Sequence, residues 1–334
     1  MELSVVWFVL VAVLFTGFFF LEGFDYGVGV LLPLLGRTDD ERRLIIGSIG
    51  PVWDGNEVWM ITAGGAMFAA FPHVYATLFS GFYLALFLML VALIVRGVGL
   101  DFRSKQSGPA WRSTWDWLIF AGSLVPALLW GVAVTNLLKG VPIDAKMNYV
   151  GTFFDLLSPY TLIGGVAFLL VFIYHGAAYL VLKLEDPLAG RARRTALTVG
   201  VFAAIAFLAL VGMTYIYTDL FASVGAGVSL WAAVGAFVVS YLAMRAHRTG
   251  WAFVGSGLAI VFTTAAFFWG LFPRLMVSSL NSAWSLTVTN ASSSPLTLKL
   301  MTVAAGLLVP VVLAYQAWSY WIFRKRVTLR DLEY

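Results

Sequence analysis

The stretch LEGFDYGVGVLLPLLGRTDDERR, residues 21–43, ends an apolar run that starts near Ser4 and stops at a charged break after Leu35. An apolar run of this length reads as a membrane-spanning helix, because about 20 residues cross a bilayer. Two carboxylates, Glu22 and Asp25, sit inside it at i, i+3 spacing and share one helix face. After the charged break, GPVWDGNEVW (residues 50–59) opens the next apolar run and repeats the pattern with Asp54 and Glu57. Only 11% of the 334 residues are charged. A carboxylate in lipid costs ~2.5–3.5 kcal/mol on insertion scales. Four of them in one neighbourhood require partners, water or protons.

The rest of the chain agrees with a polytopic membrane protein. It is 61% hydrophobic, with a mean hydropathy of +0.90. The net charge of +4 comes from a small charged set and gives no reason to expect nucleic acid. Without cysteine, disulfides, thiolate metal sites and thiol catalysis are excluded. The N-terminal segment has no basic residues, no small-residue cleavage site and too long an apolar run for a signal peptide, so it reads as a retained first span.

Nine spans are expected: Ser4–Leu35, Gly50–Phe71, Val74–Leu100, Trp115–Leu138, Pro159–Leu184, Thr195–Tyr217, Val228–Arg245, Gly250–Phe272 and Leu296–Phe323. The first exceeds what a bilayer needs and should tilt, kink or emerge. With the N-terminus outside, 17 of the 21 lysines and arginines fall in inside segments. The positive-inside rule then puts the C-terminus in the cytoplasm, which requires an odd number of spans. The RTDDERR break reads as a solvated inside loop. Trp111, Trp115, Trp117, Trp318, Tyr320 and Trp321 read as an interfacial belt. Residues 272–295, rich in Ser and Asn, read as an outer loop.

A faint repeat runs through the chain. Glu22-Gly23 and Tyr26 align with His175-Gly176 and Tyr179, and each run leads to a double arginine. It suggests four spans plus four and an added ninth helix. The corresponding regions are 1–140 and 155–272 for two four-helix bundles, 296–323 for a peripheral helix and 324–334 for a cytoplasmic tail, within one integral membrane domain.

The order of spans brings Glu22, Asp25, Asp54 and Glu57 toward one inner-leaflet zone, where the third span returns with Arg96 and Asp101. Arg96 is the obvious counter-charge. Two readings fit these residues: a proton relay, or a buried ion-pair cluster that fixes helix packing. Asp54 also lies close enough to Pro51 to sit at a helix N-terminus, where the dipole favours an acid. Gly23 and Gly27, and likewise Gly64 and Gly65, suit close helix packing. Of the three histidines only His175 falls inside a span, and the nine methionines read as packing. A bis-histidine haem needs a facing pair, so no haem or metal is expected in this chain.

The blocks EGFDYGVG, GRTDDERR, GPVWDGNEVWMITAGGAMFAAFP, FSGFY, RGVGLDFRSK and SSPLTLKLMT resemble subunit II of cytochrome bd-type quinol oxidases. The resemblance is dense from about residue 17 to residue 106 and thins toward the C-terminus. It implies an all-α polytopic membrane protein of about nine transmembrane helices, two four-helix bundles plus one peripheral helix. It implies a heterodimer with subunit I, which holds two b-type haems, one d-type haem and the quinol-oxidation site. The complex oxidises membrane quinol and reduces dioxygen to water, with protons taken from the cytoplasm, in the bacterial plasma membrane. Subunit II would support assembly, contribute to the proton pathway, and bind a structural quinone, lipid and small accessory membrane subunits. By matching position Asp54 is the strongest proton-pathway candidate, followed by Asp25, Arg96 and Asp101. The family pattern admits Asp in place of Glu22 and Gln in place of Glu57, which counts against Glu57 as an essential relay. No catalytic residue is assigned to this chain. A proton-coupled carrier and a membrane scaffold are the rival classes, although the broken helices a carrier needs are not evident.

Overall fold

A computed structural model describes residues 2–332. Met1 and the last two residues of the expected tail, Glu333 and Tyr334, lie outside the described residues. Eleven α-helices are present among the described residues: α1 Leu3–Leu35, α2 Asp39–Ile49, α3 Trp53–Ala70, α4 Pro72–Gly81, α5 Tyr83–Phe102, α6 Pro109–Lys139, α7 Pro159–Lys183, α8 Leu188–Tyr217, α9 Val224–Arg245, α10 Thr249–Leu271 and α11 Pro295–Ile322. Eight of them, all but α2, α3 and α4, are long and apolar enough to cross a membrane. The expected second span, Gly50–Phe71, corresponds to α3, whose 18 residues include Asp54, Asn56 and Glu57. The protein is therefore an all-α polytopic membrane protein.

Several expected boundaries are corrected. The RTDDERR segment is not a solvated loop, because it opens α2. Thr38 and Glu41 form a capping box: Thr38 Oγ1 accepts from Glu41 N at 3.3 Å, and Glu41 Oε2 accepts from Thr38 N at 3.3 Å. The T-x-x-E spacing is the recognised signature of that cap. The expected third span is two helices, α4 and α5, which break at Phe82. Helix α8 starts at Leu188, so Arg191, Arg193 and Arg194 lie on a helix rather than in a loop. Residues 272–295 contain a small antiparallel pair, β1 Arg274–Met276 with β2 Leu286–Thr287.

Helix α1 runs through the centre and packs against α3, α6, α7 and α10. On one side α5 pairs with α6; on the other α7 pairs with α8 and α9 with α10. At the α1–α7 crossing a Cβ on Gly27 would come within 2.0 Å of Phe172 O, and one on Gly176 within 2.6 Å of Gly27 C. Backbone meets backbone there, and only glycine allows it. Gly64 and Gly65 behave differently from expectation: nothing lies within 4 Å of their Cβ positions, so they close no helix contact. They line an apolar cavity of about 700 Å³ bounded by α1, α3, α4, α5, α6 and α10. Among the described residues, helix α11 packs chiefly on α1 and α3 and is largely exposed elsewhere.

Candidate functional site

The first-span acids are buried at the α1–α3–α5 contact. Glu22, Asp25 and Arg96 are each no more than 1% exposed, so their charges have only one another and their hydrogen-bond partners for compensation. Arg96, from α5, donates Nη1 to Glu22 Oε1 in a buried ion pair. Its guanidinium lies 4.9 Å from the centre of the Tyr26 ring and 6.0 Å from that of Trp53, a cation–π arrangement on both sides. Asp25 takes a different partner. Its Oδ2 accepts from Asn56 Nδ2 at 2.6 Å, and Asn56 Oδ1 accepts from the Tyr320 hydroxyl at 2.7 Å.

The cluster is only half satisfied within the chain. Glu22 Oε2, Asp25 Oδ1 and Arg96 Nη2 are all buried and have no hydrogen-bond partner in the chain, while the buried Tyr26 hydroxyl lies toward the Trp130 indole N–H. Buried polar atoms are almost always paired, so three unmet valences in one place call for partners beyond the side chains around them. Glu57 is half-buried and within electrostatic reach of Arg96 and Asp54. Asp54 is exposed in the first turn of α3. It sits at the helix N-terminus as its distance from Pro51 suggested, where the dipole favours an acid, although no side chain caps α3. The carboxylates thus step from the exposed Asp54 through Glu57 to the buried pair. Asp101 does not join them: it is exposed, and the nearby residue that turns inward is Arg103, in the short 3-10 turn after α5.

A second polar network lies at the basic end of the bundle. Arg103 donates to Asp116 and, at 2.9 Å, to Asp39; Arg112 reaches Asp39 at 2.6 Å and Arg42 reaches Asp116 at 2.7 Å. Glu41 pairs with Arg191 and so ties α2 to α8. Partial burial pushes the Glu41 carboxyl up, but donation from Arg37 N–H, Arg191 and Thr38 N–H outweighs it and holds the group below its usual range. These contacts lock α2 onto the bundle.

His175 is buried and fully used. Its Nδ1 bonds to Ser256 Oγ at 2.7 Å and its Nε2 to Phe20 O at 3.1 Å. The ring stacks on Phe253 at 4.6 Å between centroids. His73 and His247 are exposed. The histidines of this chain therefore do not fit a haem with two facing axial ligands. No group of three or more His, Asp or Glu residues among the described residues is placed to hold a metal ion.

Several of these residues escaped the reading of the sequence. Asn56 sits between Asp54 and Glu57 and looked like a spacer. Tyr320 and the Trp115–Trp117 stretch holding Asp116 looked like an interfacial belt. Only Asp116, a carboxylate close to the start of an apolar helix, carried a signal that could have been noticed.

The helices and this cluster define an all-α membrane protein with a buried carboxylate–guanidinium group among its spans. The family model for cytochrome bd terminal oxidase subunit II matches residues 3–323. The chain is 44% identical over 327 residues to cytochrome bd ubiquinol oxidase subunit 2 of Bacillus subtilis, covering 97% of each. It is 42% identical to cytochrome bd-I ubiquinol oxidase subunit 2 of Escherichia coli K12, covering 99% of this chain and 97% of that one. The structure also superimposes on a chain of the bd oxidase from Geobacillus thermodenitrificans with a TM-score of 0.75. At 18% identity, with 97% of this chain and 100% of that one covered, that likeness speaks to the fold alone. The chain belongs to the cytochrome bd terminal oxidase subunit II family. It is a multi-pass bacterial membrane protein and one subunit of a quinol oxidase, whose catalysis belongs to the complex.

Proposed function

We propose that this chain is the haem-free subunit II of the oxidase and that its α1–α3–α5 cluster carries protons from the cytoplasmic side toward the haem-bearing partner, subunit I. The observation that supports this most directly is the charge balance of the cluster. Two buried carboxylates, Glu22 and Asp25, lie within the field of one buried guanidinium, that of Arg96, which pairs with Glu22. One ion pair can be neutral in itself; the second carboxylate sheds its charge by binding a proton. The unmet valences on Glu22, Asp25 and Arg96 supply the places where water would link these groups. Asp54 is the exposed acceptor, Glu57 the intermediate and Asp25 with Glu22 the buried store.

The basic split along the chain supports the orientation: N-terminus outside, and α2, Arg103 and the segment after α11 in the cytoplasm. The residues of this chain do not fit axial haem ligation, so haems b and d belong to subunit I, where they supply oxygen reduction. The apolar cavity of about 700 Å³ supports bound lipid or the tail of a structural quinone. Small accessory membrane subunits complete the expected partners.

Asp54→Asn tests the route. Asparagine keeps the shape and most hydrogen bonding but has no titratable proton. The assembled variant should retain its haems and lose quinol-driven oxygen consumption at least ten-fold. Normal turnover in a fully haem-loaded Asp54→Asn complex would falsify the role.

A further inference from the structure

We propose that Tyr320, on the peripheral helix α11, is a positioning residue for Asp25, acting through the side-chain amide of Asn56. This deepens the proton-transfer reading above and rests on it for its functional meaning.

The geometry is a three-group chain from three helices. The Tyr320 hydroxyl donates to Asn56 Oδ1 at 2.7 Å, and Asn56 Nδ2 donates to Asp25 Oδ2 at 2.6 Å. Asn56 and Asp25 are fully buried, so neither bond is exchanged freely for bulk water. An amide can present either end to a neighbour, and its partners decide which. With Nδ2 toward Asp25, the amide stabilises a carboxylate. With Oδ1 toward Asp25, it would instead accept from a protonated carboxyl.

Tyr320 selects between the two. In the observed orientation its hydroxyl hydrogen has an acceptor. With the amide reversed, the hydroxyl oxygen would face Nδ2, and its hydrogen would lose the acceptor it has here. Removing the hydroxyl removes that bias, and the orientation that favours a protonated Asp25 gains population. The other ionisable groups acting on Asp25 are Glu22 on its own helix, Glu57 on α3, Arg96 on α5, Tyr179 on α7 and Tyr320 itself on α11. None of them touches the Asn56 amide except Tyr320.

A neighbouring contact provides the control. Trp59, one turn along α3, donates Nε1 to Gln316 Oε1 at 2.9 Å. It ties the same two helices together without touching Asp25. A role of α11 in docking alone would make Trp59 and Tyr320 equivalent; a positioning role makes only Tyr320 matter to Asp25.

The experiment uses the intact, haem-loaded oxidase complex. The carboxylic C=O stretching band that Asp25→Asn abolishes is followed against pH by infrared difference spectroscopy. In Tyr320→Phe its midpoint should move to higher pH by about one unit. In Trp59→Phe it should stay in place. If Tyr320→Phe does not assemble, fluorotyrosine at position 320, a stronger donor of the same shape, should move the midpoint down. An unmoved midpoint, an equal shift in Trp59→Phe, or no Asp25-dependent band in either form at any tolerated pH overturns the proposal. Turnover is read separately. Full oxygen consumption in Asp25→Asn with the band still shifted by Tyr320→Phe would sink the relay reading and leave the positioning role standing.

Discussion

The two central helices carry aligned polar residues and treat them in opposite ways. On α1, Glu22 and Tyr26 are buried, and Glu22 Oε2 is unpaired in the protein. On α7, the aligned His175 and Tyr179 are equally enclosed, yet His175 is bonded at both nitrogens and Tyr179 donates to Ser48 O at 2.8 Å. The α7 set is a finished hydrogen-bond network. Full satisfaction rigidifies and specifies a core, whereas a buried polar group without a partner costs stability and is kept where something else uses it. Under the proposed function, the α7 side of the molecule holds and the α1 side conducts.

The sharpest way to break that contrast is to remove the cation on the α1 side. Arg96→Leu leaves the buried Glu22 without its cationic partner, a change that typically costs about 3–5 kcal/mol. The yield of haem-loaded complex should collapse. Near-normal yield would show that Glu22 is already neutral and that the ion pair is not what holds α5 to α1.

Tyr26→Phe and Tyr179→Phe should then cross over. Tyr26 lies beside Arg96, whose guanidinium is 4.9 Å from its ring, so under the proposed function Tyr26→Phe should lower quinol-driven turnover several-fold and cost less thermal stability than Tyr179→Phe. Tyr179→Phe gives up a buried bond to a backbone carbonyl, worth about 0.5–1.5 kcal/mol. It should lower the melting temperature and leave turnover within two-fold, in the order-of-magnitude sense that a structural bond allows. The reverse pattern would invert the assignment of the two halves.

His175→Ala sharpens the α7 side. It should destabilise the complex by about 1–3 kcal/mol, as expected when Ser256 Oγ and Phe20 O lose a buried partner. Haem content per complex, measured by the visible spectrum, should not change. Loss of one haem would show that this histidine is a ligand in the assembly.

The smallest effect belongs to α2. The Glu41 carboxyl is held below its usual range, so the folded state binds this proton less readily than the unfolded chain. Its contribution is present above the unfolded value of about 4.3 and is lost as pH falls through the lower folded value. Acid should therefore loosen α2 from α8, and Glu41→Gln should remove that pH dependence. Amide hydrogen exchange in residues 39–49 measures both.

Much of this was legible in the residues. Apolar runs of membrane-spanning length made the helices readable, and i, i+3 spacing put Glu22 with Asp25 on one face. Thr38-x-x-Glu41 announced α2, but its charges drew the reading toward a solvated loop. The partners were harder, because they come from distant sequence: Asn56 is 31 positions from Asp25, and Tyr320 is 264 from Asn56. Asp101 shows the converse, since its neighbour Arg103 turned inward and it did not.

By itself the sequence determined which segments lie in the membrane, which end gathers the basic residues and which acids are out of place there, because hydropathy and charge are local properties that need no neighbour. The tertiary structure alone decided that Arg96 serves Glu22, that Asn56 serves Asp25, and that His175 is closed while the α1 cluster stays open. Hydrogen-bond satisfaction is set by which atoms converge within about 3 Å. Convergence depends on the rotation of each helix about its axis. That rotation was settled by contacts such as Gly27 against Gly176, where two backbones had to meet.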